Sequence, residues 1–209
     1  MRVAYSLLRY FALFWVTVLS VGTVIQYAFF KEGNFFLRIK EQAVATGWYM
    51  PAFYCHVFGS SLILIAGFFQ FSKTVYSKPR LHKALGKLYV LGILFFAAPG
   101  AYVMTLFINR GVGVFTSFLL QNTLWVIFTT LGWLTILKKN VGRHIKMMRR
   151  SYALAFGAVT LRFYIWLFTV LGFGVNFNHN YLIIAFLSWV PNLLVAEWLN
   201  RNSKAIALQ

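Results

Sequence analysis

Residues 114–137 read VFTSFLLQNTLWVIFTTLGWLTIL, an unbroken run with no charged side chain, in which Gln121 and Asn122 are the most polar members. A helix over this run, rising about 1.5 Å per residue, is long enough to cross the roughly 30 Å of hydrocarbon in a bilayer. Working outward, comparable apolar runs lie near residues 7–30, 48–71, 88–108, 152–173 and 181–199. The pattern predicts an all-α membrane bundle of about six transmembrane helices forming one transmembrane domain over residues 1–209. Trp48, Tyr49, Tyr89, Tyr152, Tyr181 and Trp198 fall at the predicted span ends, where amphipathic rings favour the headgroup layer.

Composition agrees: hydrophobic residues make up 60% of the 209 and charged residues 11%, against about 25% charged in soluble domains. A formal charge of +17 would point a soluble chain toward nucleic acid, but the cations sit between the apolar runs and no recognition motif accompanies them. They read instead as a topology signal. Fifteen Lys and Arg fall in the N-terminus, residues 72–87, residues 138–151 and the C-terminus, against four in the alternate connections. The positive-inside rule then predicts both termini on the cytoplasmic side of a bacterial inner membrane, with the basic segments facing anionic lipid headgroups or a protein partner. Arg2 and Arg9 precede an apolar stretch longer than a signal-peptide core, so the first span is expected to stay as an anchor. Cys55 is the sole cysteine and forms no intrachain disulfide.

Residues 31–47 mix Phe35, Phe36, Leu37 and Ile39 with charges, a pattern that fits either a short surface helix or a plain loop. Ala97 with Ala101, and Ala153 with Gly157, have the small-x-x-x-small spacing that brings helix backbones together. Pro191 followed by Asn192 predicts a kink with a released carbonyl. Arg80-Leu81-His82 before Tyr89 and Arg143-His144 before Tyr152 hint at a tandem repeat of two helical hairpins.

The scarcity of acids narrows the chemistry. Glu32, Glu41 and Glu197 are the only three, and there is no Asp, which removes carboxylate pairs, Asp-held magnesium and Asp-containing triads. His56 and Ser60 stand one helical turn apart, yet no nucleophile elbow or orienting acid accompanies them, so no catalytic residue is assigned. Arg162 falls inside the fifth run, where a guanidinium costs at least ~2.5 kcal/mol on insertion scales and needs partners. Its neighbours Ala155, Ala158 and Val159 are small, which predicts that this face meets the bundle. At helical rise His56 lies about 12 Å, and Arg162 roughly 16 Å, below the outer boundary, with Gln121 and Asn122 at similar depth.

His56, Ser60, Gln121, Asn122 and Arg162 are therefore the candidate ligand-binding set. They form either a mutually satisfied polar core or the wall of a pocket for a quinone-like or lipid headgroup, whose oxygens would accept from these donors. His82 and His144, both at the cytoplasmic ends of spans, are the weaker candidates as axial ligands of a b-type haem. His179 has no second His within a turn and predicts no metal site. Glu197 is expected to pair with a basic-segment cation.

Three blocks carry a resemblance: His56-x-x-Gly59 with Gly67 and Gln70; Pro79-Arg80-Leu81-His82-Lys83-x-x-Gly86-Lys87-x-Tyr89; and His144-x-x-Met147-Met148-x-Arg150-Ser151-Tyr152-Ala153, running on to Arg162. They resemble a family of uncharacterised bacterial polytopic membrane proteins with a domain of unknown function, over roughly residues 50–165. Met147 departs from it, since the family often has Trp there. The resemblance implies a multi-pass membrane protein and picks out His56, His82, His144 and Arg162, but no activity. Three functional expectations follow: a redox-associated protein binding a quinone-like or lipid small molecule in an outer-leaflet pocket, a non-enzymatic scaffold or assembly factor, or a single-haem b-type cytochrome.

Overall fold

The computed structural model describes residues 2–28, 37, 40–175 and 177–202. Helix is the only regular structure among them, and six helical runs are long and apolar enough to span a bilayer: Tyr10–Tyr27, Tyr49–Gln70, Pro79–Leu106, Val112–Leu137, Val141–Val170 and Asn178–Asn202. The chain divides into two compact units, Met1–Met104 and Thr105–Gln209.

In the first unit α1 (Arg2–Tyr27) lies against α3 (Tyr49–Gln70), with Tyr27 edge-on to Phe53 at 4.9 Å. The single-turn α2 (Glu41–Val44) precedes α3, and most of the mixed segment before it lies outside the described residues. After α4 (Lys73–Tyr76), α3 packs on α5 (Pro79–Gly92), which passes through a π turn at Ile93–Ala97 into α6 (Ala98–Leu106). Pro99 explains the turn. It has no N–H and its ring crowds the carbonyl four residues back, so the helix widens and the Ala98 N–H reaches to Ile93 O instead. Ala97 and Ala101 are buried as their spacing predicts, but the tightest approach is at Gly100. A Cβ there would run into the Ala52 carbonyl and stand 2.8 Å from the His56 Cβ.

In the second unit α7 (Val112–Leu137) and α8 (Val141–Ala155) form a tight antiparallel hairpin, whose turn is closed by the Asn140 side chain accepting from Arg143 N at 3.0 Å. The fifth span breaks at Phe156 and resumes as α9 (Gly157–Val170). The sixth comprises α10 (Asn178–Leu187) and α11 (Val190–Asn202), broken at Ser188–Trp189 immediately before Pro191, where the sequence predicts a kink.

The span edges differ most from expectation at two starts. The basic stretches read as loops are helical from Pro79 and from Val141, well before the expected starts at 88 and 152. Charge marks where hydrocarbon ends, not where helix ends. Met147, Ser151 and Tyr89 are buried on these extensions while Lys83, Lys87, Arg143 and Lys146 stay exposed, so each extension is amphipathic and its cations reach the headgroup zone.

Gly100→Ala is expected to lower the unfolding midpoint in detergent by the equivalent of about 1–3 kcal/mol, because rigid backbone opposes the new methyl. Gly92→Ala should be nearly neutral: its methyl would meet only the flexible end of Ile63, at 3.0 and 3.2 Å, and Ala regains helix propensity. Equal midpoints for the two variants would contradict the close approach of α3 and α6.

Candidate functional site

The candidate residues divide between the units: His56 and Ser60 belong to the first, Gln121, Asn122 and Arg162 to the second. His56 Nδ1 lies 2.8 Å from Ala97 O, at the end of the π turn. A carbonyl only accepts, so the ring proton sits on Nδ1. The Ser60 hydroxyl, 3.5 Å from the same nitrogen, therefore meets a donor and not a base, which removes Ser-His nucleophilic chemistry at that atom.

Gln121 acts similarly in the second hairpin, where its Nε2 donates to Leu154 O at 3.1 Å, next to the break at Phe156. Gly157 sits directly beneath, and a Cβ there would stand 2.5 Å from that Nε2. Asn122 is buried and donates to Thr105 Oγ1 at 3.1 Å. At the third break, Ser188 O accepts from Thr160 Oγ1 and from Asn192 Nδ2, the latter at 3.0 Å, while Trp189 Nε1 donates to Ser117 Oγ at 3.0 Å. Each irregularity in a span thus meets a side-chain donor from another span.

Arg162 is placed differently. Ala155 and Val159 are buried, as expected of the face that meets the bundle, but Arg162 is exposed and its Nη1 donates to Ala158 O at 2.9 Å on its own helix. Val159 and Arg162 lie on the same stretch of α9, three residues apart, yet only Val159 is buried, so Arg162 stands at the margin of the packed stripe. Arg162 lies eight residues before the end of α9, about 12 Å along the axis, and is followed on the same helix by the exposed rings of Phe163 and Trp166, which pack at 6.0 Å. At this end of the unit Arg110 stacks its guanidinium 4.9 Å over the Tyr181 ring and donates to Val175 O at 3.4 Å. The sequence reading missed this pair because Arg110 stands in a short connection and looks like an ordinary flanking cation.

At the opposite end of the second unit lies its basic extension, from Val141. His144 Nδ1 donates to Gly132 O at 2.8 Å, and Thr129 and Ser151 share a hydrogen bond of 2.7 Å across the same pair of helices. His82, in the first unit, stacks on Tyr76 at 4.8 Å and its carbonyl accepts from Gln70 Nε2 at 2.9 Å. Glu197 pairs as expected with a cation of the basic segment: Arg150, which grips it with both Nε and Nη2, also lies 5.5 Å over the Phe128 ring. His179 is exposed, and no cluster of three His, Cys, Asp or Glu occurs among the described residues.

A family model described as Predicted membrane protein (DUF2306) matches residues 53–200. No curated protein and no solved structure matches the chain.

His56→Leu and Gln121→Leu each strand a carbonyl in a medium without water, so each should reduce stability by about 0.5–2 kcal/mol in a detergent-denaturation titration. The expected loss exceeds that of the lipid-facing control Leu194→Ala. If all three variants unfold alike, these bonds do not hold the broken helices.

Proposed function

The chain belongs to this family of predicted membrane proteins of unknown function, and on that footing we propose that it binds an amphiphile within the membrane, with Arg162 as the anchor for its headgroup. The observation that carries this reading is an exposed guanidinium on an apolar span that also exposes Phe163 and Trp166. A cation at that depth costs several kcal/mol unless oxygen acceptors surround it, and an amphiphile approaching through lipid brings such oxygens without dehydrating the protein. A quinone-like molecule offers ring carbonyls, and a lipid offers ester and phosphate oxygens. Gln121 and Asn122, in the same unit, support the anchor indirectly by holding their spans in place.

We further propose that the chain forms a single transmembrane domain in the bacterial inner membrane with both termini cytoplasmic, since the exposed Lys83, Lys87, Arg143 and Lys146 then meet the anionic leaflet. One observation favours a second reading, a non-enzymatic scaffold or assembly factor. The side chains of His56, Gln121 and Asn122 all bond to neighbouring segments of the chain, which makes them structural donors.

The two readings separate on purification in mild detergent followed by mass spectrometry of the extracted lipids and quinones. Arg162→Ala is expected to lose the co-purifying amphiphile while keeping the wild-type unfolding midpoint, and Arg162→Lys to keep part of it. Unchanged amphiphile content in Arg162→Ala would overturn the anchor and leave the scaffold.

A further inference from the structure

In the second unit the fifth and sixth spans break at the same level. Gly157, where α9 starts, stands against the other break: a Cβ on it would lie 3.4 Å from Ser188 O and 3.5 Å from Trp189 Cβ. Side chains also bridge the two breaks. Thr160 Oγ1 donates to Ser188 O, and Asn192 Nδ2 donates at 3.0 Å both to that carbonyl and to Thr160 Oγ1. Beyond the breaks α9 and α10 pack on each other as a helical hairpin, about 20 Å long at helical rise.

The two sides of the breaks are held unequally. On the basic side α8 is fastened to both neighbours, through His144 to Gly132 O and Ser151 to Thr129 on α7, and through Arg150 to Glu197 and Lys146 O to Asn200 on α11. On the far side burial is confined to residues near the breaks, Gly157 and Val159 in α9 and Ile184 and Ala185 in α10; none of residues 160–170 or 178–183 is buried. Lipid is as apolar as the side chains it touches, so only packing and hydrogen bonds hold these halves in place, and segments with little of either open most readily. The breaks supply the freedom to do so. Pro191 has no N–H and leaves the sixth span without one ladder bond, and the donors to Ser188 O sit close to the pivot, where a tilt barely alters their distances. The contacts that close the hairpin lie at its far end. Arg110, just before α7, stacks 4.9 Å over the Tyr181 ring of α10 and donates to Val175 O at 3.4 Å. Beside it Leu182 covers Gly113, on which a Cβ would stand 2.8 Å from Leu182 Cδ1.

We propose that α9 and α10 swing as one body about the paired breaks at Phe156 and Ser188–Trp189, with Arg110 as the latch that holds them closed on α7. Trp189 Nε1, bonded to Ser117 Oγ of α7, fixes the pivot. A tilt of about 15° moves the tip of such a lever, about 20 Å long, by roughly 5 Å. In the swung position α10 leaves the start of α7, and Val114, buried in the closed state, meets lipid. The motion requires no ligand and stands or falls apart from the amphiphile reading.

The test measures distances between pairs of spin labels on the full-length protein in lipid nanodiscs, in a Cys55→Ser background because Cys55 is exposed. One pair, Val112→Cys with Val170→Cys, joins the start of α7 to the tip of α9. The other, Leu137→Cys with Leu199→Cys, joins α7 to α11 on the basic side; all these positions are exposed. Arg110→Gln is expected to add to the first pair a second population, longer by roughly 5 Å, and to leave the second pair as it is in the unlatched protein's parent. Pro191→Ala returns an N–H to the sixth span and, combined with Arg110→Gln, should shrink the longer population. An unchanged first distance in Arg110→Gln removes the latch. Equal broadening of both pairs means that the unit loosens as a whole, and a longer population untouched by Pro191→Ala puts the motion elsewhere than at the breaks. Each of these three results overturns the hinge.

Discussion

Hydrocarbon supplies no hydrogen bonds, so every N–H and C=O of a membrane span must find its partner inside the protein. An unbroken helix meets this requirement by itself. This chain breaks its helices, at the π turn of Ile93–Ala97, at Phe156 and at Ser188–Trp189. At each place a donor from a neighbouring segment arrives: His56 at Ala97 O, Gln121 at Leu154 O, Thr160 and Asn192 at Ser188 O. The polar residues of the membrane interior are thereby committed to positions, and small residues such as Gly59, Gly100 and Gly157 let the helices close to hydrogen-bond range.

The two hairpins apply one scheme with different residues. In each, a descending span offers a long polar side chain to a carbonyl near an irregularity in the ascending span. In each, a second bond at the basic end joins the same helices, Gln70 to His82 O in one and His144 to Gly132 O in the other. The likeness that the basic His motifs show in sequence is thus matched by likeness of bonding, although donor and acceptor exchange helices at the basic end.

Charge is distributed on a different principle. Arg150 and Glu197 neutralise each other where α8 meets α11, and Arg149 donates to Leu199 O and Asn200 Oδ1 beside them. A chain with three acids and twenty cations can pair only a small share of its cations in this way. The remaining arginines of the second unit lean on carbonyls, aromatic faces and the medium around them. Arg162 is the proposed anchor for this reason, whereas His56, Gln121 and Asn122, grouped with it in the sequence, donate to neighbouring segments of the chain.

The sequence by itself determined the solvent of this protein, the number of spans and the kink ahead of Pro191, because these depend on the length of apolar runs and on a missing N–H. It also singled out Arg162, since one guanidinium in an apolar run stands out without any knowledge of its neighbours. Only the tertiary structure decided which carbonyls His56 and Gln121 serve, that the basic stretches continue as helix, and that Arg162 leaves the stripe of Ala155 and Val159. Those outcomes depend on how each helix is turned against its neighbours and on which backbone a side chain meets. A hydrophobicity pattern records how a residue partitions between water and lipid; it does not record what the residue touches.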